Sequence, residues 1–117
     1  MKTVDRVFAW ILLLLGCIHC AATFVVHKTL TLDAVWFISG GLVMILGALL
    51  NLVRIARTED RLVVRVSLLA NLLQFAVFVV VVPWVLRNDI RQNPQVIAVG
   101  VAVAAELFFS LKLFLTK

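Results

Sequence analysis

Four apolar blocks of about twenty residues constrain this chain more than any other feature. They run Val7–Val26, Ala34–Val53, Val66–Leu86 and Val96–Leu115. At about 1.5 Å of rise per residue, a helix over each block matches a hydrocarbon core of roughly 30 Å. The connections are short and polar: HKTLTLD, RIARTEDR and RNDIRQNPQ. The chain is 64% hydrophobic with a mean hydropathy of +1.15, whereas soluble domains lie nearer half apolar. So much apolar surface, gathered into spans, leaves little chain for a water-soluble domain. Residues 1–117 therefore read as one all-α integral membrane domain, four transmembrane helices in an up-down-up-down bundle.

Local signals mark the helix limits. Asn93–Pro94 places a capping side chain before a proline in the first helical turn. Thr58, followed by Glu59 and Asp60, reads as the start of the third helix, and Thr31 or Asp33 as a cap for the second. Pro83 lies inside the third block and should bend or end that helix.

A net charge of +5 would suggest nucleic acid in a soluble protein. Here the basic residues divide by side. Lys2, Arg6, Arg54, Arg57, Arg61, Arg65, Lys112 and Lys117 fall on one side, and Lys28, Arg87 and Arg91 on the other. Eight against three predicts both termini in the cytoplasm (N-in, C-in), with a bacterial inner membrane as the expected location. Charge is thereby explained by topology, and nucleic acid is not an expected partner. Trp10 near one interface and Trp36 and Trp84 near the other fit an aromatic belt.

The first block also resembles a leader, and LLGC at 14–17 looks like a lipoprotein processing site. Bulky Leu15 precedes Gly16, however, and the apolar run continues to Val26 without a polar tether. An uncleaved helix is the expectation.

Helical periodicity gives every block one small or polar stripe. The stripes are Gly16, His19, Cys20, Thr23 and His27; Trp36, Gly40, Met44, Gly47, Asn51 and Arg54; Ser67, Asn71, Gln74 and Phe78; and Gln95, Val99, Ala102, Glu106 and Ser110. In lipid, small residues let backbones approach and polar groups seek partners on other helices. The stripes should face inward.

Glu106 is the one acid well inside a block, and an intramembrane carboxylate must be paired or protonated. Counted from the block ends, His19, Gln74 and Glu106 fall near mid-depth, with Asn71 close by and Asn51 nearer the cytoplasmic mouth. Glu106, His19, Gln74, Asn71 and Asn51 are thus the candidate ligand-binding or proton-coupling residues, and His19, Gln74 and Glu106 are expected to converge on one pocket. Cys17 and Cys20 form a C-x-x-C, but in mid-helix, where no helix N-terminus favours a thiolate. No His-x-x-Glu or paired-histidine spacing marks a metal centre. The residues name no cofactor.

The layout is similar to that of small multidrug-resistance transporters, four-helix chains near this length with one membrane-embedded glutamate. It departs from theirs in placing the acid, Glu106, on the fourth helix and His19 on the first. The expected function is binding or moving a small apolar or cationic molecule between the helices, with proton linkage. A homodimer or a partner membrane protein is expected, since so small a bundle encloses little volume. One alternative is a non-catalytic scaffold or accessory subunit whose polar residues join helices. Another is a membrane enzyme acting on lipid or quinone through His19 and Glu106.

Overall fold

The computed structural model describes residues 2–86 and 93–116. Arg87 and Arg91 in the last connection, and Lys117, lie outside the described residues. Helices α1 (Lys2–Val26) and α2 (Leu32–Ala56) are followed by α3 (Arg61–Phe75). A π-helical segment (Ala76–Val81) and the short α4 (Val82–Leu86) continue α3, and α5 (Pro94–Leu115) completes the fold. Four helical stretches, Lys2–Val26, Leu32–Ala56, Arg61–Trp84 and Pro94–Leu115, are long and apolar enough to cross a membrane.

The helices extend beyond the apolar blocks, chiefly at the arginine-rich end that holds the α2–α3 turn. There α1 begins five residues before Val7, α3 five residues before Val66, and α2 ends three residues after Val53. Polar and basic residues continue a helix readily when its other faces pack, so hydropathy alone sets the limits too tightly.

Capping follows the expected chemistry with two differences. Thr31 caps α2, its Oγ1 accepting from Ala34 N at 3.2 Å. Asp60 rather than Thr58 caps α3; its Oδ1 accepts from Leu62 N at 2.9 Å and Val63 N at 3.2 Å. A carboxylate both accepts these bonds and sits at the positive end of the helix dipole. Asn93 precedes Pro94 as expected, but its Oδ1 accepts from the Gln95 side chain at 3.0 Å instead of a backbone amide. Pro83 does not end its helix. The turn before it widens, with Val82 N donating to Val77 O five residues back. A regular turn would drive the proline ring against the Val79 carbonyl, and the wider one relieves that clash.

Each membrane-length helix packs on two others: α1 on α2, α2 on α3, α3 on α5, and α5 on α1. Neighbours are antiparallel, since Asp5 at the start of α1 meets Arg54 at the end of α2, and Asn71 in α3 meets Ser110 late in α5. The α1–α2 contact is the most extensive and turns on two glycines. A Cβ on Gly16 would lie 2.9 Å from Gly41 O, and one on Gly41 would lie 2.9 Å from Gly16 O. The two backbones can approach so closely only without side chains there. Leu12, Met44, Ala48, Val99, Ala102 and Val103 form the apolar core.

The predicted stripes turn inward over most of their length. Gly16 and Thr23, then Met44, Gly47, Asn51 and Arg54, are buried, as are Ser67, Asn71 and Gln74, and Val99, Ala102, Glu106 and Ser110. Trp36 and Gln95 are exposed, because the helices leave a cleft at the end away from the arginines. Leu14, Leu46, Leu69, Leu73 and Val101 face outward with many other large apolar side chains. Water would not tolerate so much apolar surface, whereas lipid does. The chain is an integral membrane protein by the length and apolarity of its helices.

Candidate functional site: a buried charge cluster and an apolar cleft

The polar residues gather toward the arginine-rich end. Arg54, 1% exposed, lies between two carboxylates. Its Nη1 donates to Asp5 Oδ2 at 3.1 Å, while Nη2 donates to Asp5 Oδ1 at 2.6 Å and to Glu106 Oε2 at 3.0 Å. The Asp5 contact is the two-pronged match of guanidinium to carboxylate that gives arginine its directional strength. Nε of Arg54 points at Asn51 Oδ1, 3.4 Å away.

Asn51 connects these charges to α3. Its Oδ1 also accepts from Ser67 Oγ at 2.9 Å and Asn71 Nδ2 at 2.8 Å, and its Nδ2 donates to Asn71 Oδ1 at 3.0 Å. Asn71 Nδ2 reaches α5 as well, at Ser110 Oγ (2.6 Å) and Glu106 O (3.4 Å). Asp5 from α1, Asn51 and Arg54 from α2, Ser67 and Asn71 from α3, and Glu106 and Ser110 from α5 therefore form one network. Every member is buried. Such networks hold helices together where water cannot compete for the hydrogen bonds.

Three of the five predicted site residues, Asn51, Asn71 and Glu106, are brought together here. Gln74 and His19 are not. Gln74 lies over Gly47 on α2, and its Nε2 donates to Val43 O at 2.9 Å. The His19 ring stacks on Phe37, centroids 4.0 Å apart at 14°. The expected convergence of His19, Gln74 and Glu106 is thus replaced by separate partners. His19 lies fourteen residues beyond Asp5 on α1, about 21 Å of helix rise, whereas Asp5 and Glu106 share Arg54 Nη2. Gln74 stands about one turn beyond Asn71 and bonds to α2 rather than to α5.

Asp5 and Arg54 are the residues that sequence reasoning passed over. Arg54 was on the inward stripe of α2, yet its charge was counted toward topology. Asp5 stands between Lys2 and Arg6 ahead of the first apolar block, where hydropathy does not reach it. The signal was nonetheless present: stepping back from Gly16 by four, three and four residues gives Leu12, Ala9 and Asp5, all buried. An acid ending an inward stripe opposite an inward arginine is a candidate pair.

The second feature is an open cleft of about 720 Å³ at the far end. Its walls come from all four membrane-length helices. His19 and His27 stand on α1 and the loop after it, Trp36, Phe37, Gly40 and Met44 on α2, Val77 and Phe78 on the π segment, and Val96 and Val99 on α5. Asp33 and Gln95 add polar groups. The predicted residue His19 therefore belongs to this cleft, whereas Glu106, Asn71 and Asn51 do not border it.

Cys17 is exposed; Cys20 is half-buried, and its thiol donates to Ile38 O at 3.7 Å. Both are free thiols. Cys20 also packs against Gly41, so it fills the close α1–α2 crossing as a small side chain. Among the described residues, no three of the His, Cys, Asp and Glu side chains gather closely enough to hold a metal ion.

These features define an all-helical integral membrane protein with a charged clamp toward one end and an apolar cleft at the other. Comparison with protein-family models, curated proteins and solved structures finds no match to this chain.

Proposed function

We propose that this chain is a small membrane-embedded binding protein that takes a mostly apolar molecule into the cleft at the far end. The cleft itself carries the reading. Its volume of about 720 Å³ is that of a small-molecule site, and apolar and aromatic side chains dominate its wall, with a few polar groups at its edge. Trp36 adds an aromatic ring and Asp33 a negative charge to the wall, so a lipophilic cation suits the cleft better than an anion. His19, fixed against Phe37, is the polar group deepest along α1 on that wall.

This reading moves Glu106 from the ligand to the clamp. The Asp5–Arg54–Glu106 cluster keeps the arginine-rich ends of α1, α2 and α5 together while the far ends diverge. It also disfavours chemistry by a His19–Glu106 pair, because Glu106 shares Arg54 with Asp5 and His19 lies about 21 Å of helix rise beyond Asp5. A non-catalytic accessory role has support of its own: Asn51, Asn71 and Glu106 all bond within the bundle.

The proposed orientation is N-in, C-in, in a bacterial inner membrane. Removing the neutralised Arg54 from the count of eight leaves seven basic residues against three, still a strong bias.

Trp36 supplies the test. With Trp10 and Trp84 replaced by Phe, its emission reports on the cleft alone. Tetraphenylphosphonium, a lipophilic cation, should quench or shift that emission saturably, and Asp33→Asn should weaken the effect severalfold. A response that rises linearly with probe, as simple partition into detergent would, counts against the proposal.

A further inference from the structure

The charges of the clamp do not balance. One guanidinium faces two carboxylates, and all three side chains are about nine-tenths buried or more. Arg54 satisfies both oxygens of Asp5 but one oxygen of Glu106. The other, Glu106 Oε1, is buried and receives no hydrogen bond from any described residue. An ionised carboxylate oxygen in that position would lack both a donor and a full share of positive charge, a costly state away from water.

Among the described residues, the Glu106 carboxylate accepts its side-chain hydrogen bond from Arg54. From α1 the cluster meets Asp5, itself negative; from α2, Arg54 and the neutral Asn51; from α3, neutral Ser67 and Asn71; from α5, neutral Ser110. Lys2 and Lys112 border a small cleft of about 150 Å³ at the arginine-rich end, which Asp5 and Arg54 also line. Glu106 does not border it, and both lysines are exposed. The cleft is large enough for several waters and opens beside Asp5.

We infer that the Asp5–Arg54–Glu106 cluster is a binding site for one proton, held on Glu106 Oε1 and exchanged with water at the cleft beside Asp5. With the proton in place, the cluster is a neutral Arg54–Asp5 ion pair and a neutral carboxylic acid. Release breaks the O–H bond at Oε1 and passes the proton to cleft water by way of the Asp5 carboxylate. No other reactant is needed. The inference rests on the clamp and is independent of what enters the far cleft.

Infrared spectroscopy of the full chain in lipid nanodiscs tests it. A carbonyl stretch from a protonated carboxyl at neutral pH, shifted by deuterium oxide, reports a neutral buried acid, and the variants assign it. The wild-type chain should show one such band, and Glu106→Gln should lose it. Asp5→Asn should lose it as well, although Glu106 is intact, because Arg54 then faces a single carboxylate and holds it ionised. This second variant keeps the test decisive should Glu106→Gln fold poorly. A wild-type spectrum without the band overturns the inference, as does a band that survives Asp5→Asn. A band that appears only when choline replaces sodium and potassium would put a small cation on Oε1 and equally overturn it.

Discussion

Replacing Arg54 with Met should be the most damaging single change to this fold. Methionine keeps much of the aliphatic stem but removes every donor. Four hydrogen bonds disappear, two to Asp5, one to Glu106 and one to Asn51, and Asp5 loses its counter-ion. Breaking one side of a buried ion pair typically costs 3–5 kcal/mol, because the charge left behind stays buried, so about 4 kcal/mol is expected here. Asp5 lies in the first turn of α1 and can draw in some water, which sets the lower bound near 3 kcal/mol, about a 150-fold shift in the unfolding equilibrium. Exposed Arg57 is the control: Arg57→Ala should stay within about 0.5 kcal/mol. Unfolding in mixed micelles with rising dodecyl sulfate, followed by circular dichroism, measures both. Adding Asp5→Asn and Glu106→Gln to Arg54→Met should recover most of the loss, since a neutral amide replaces the stranded Asp5 carboxylate. A loss below 1 kcal/mol for Arg54→Met, or a triple variant no better than the single, would refute the assignment of Arg54 as the hub.

Other consequences are equally open to measurement. Gly41→Leu should destabilise the same unfolding transition by about 1–3 kcal/mol through overpacking against Gly16 and Cys20, whereas Gly100→Ala, whose Cβ would meet only Val79 at 3.8 Å, should be neutral or stabilising. Replacing Gln74 by Leu removes a buried oxygen without a donor along with the bond to Val43, so stability should change by less than about 1.5 kcal/mol; a loss above 3 kcal/mol would give Gln74 a role beyond that bond. Cys17→Ala should leave the transition within about 0.5 kcal/mol, since the side chain is exposed on α1. Alkaline phosphatase fused after Lys117 should be inactive in a bacterial host, and strong activity would reverse the proposed orientation.

The fold was largely legible because the bilayer length and the helical period act on every residue of a span. Inward stripes drawn from small and polar residues anticipated the burial of Met44, Gly47, Asn51, Ser67, Asn71, Gln74, Ala102, Glu106 and Ser110. The site was less legible because it depends on axial position between helices, which hydropathy locates poorly. An error of five residues at the start of α1 or α3 moves a group by about 7 Å, more than a hydrogen bond spans. Glu106 therefore meets Arg54 and not His19. Asp5 was hidden for a related reason: acids beside lysine and arginine read as a soluble flank until the stripe of α1 is followed back through Ala9. The π turn before Pro83 and the cleft it borders depend on how one helix widens, and periodicity carries no sign of that.

The central claim is that the far cleft holds a small, mostly apolar molecule, and native mass spectrometry tests it most directly. The full chain, released from mild detergent, should carry one retained apolar molecule or one added tetraphenylphosphonium per chain. Val82→Phe with Val96→Trp, which narrows the cleft from two walls, should lose that adduct while Arg57→Ala keeps it. Equal retention by the wild-type and the narrowed chain would contradict the claim.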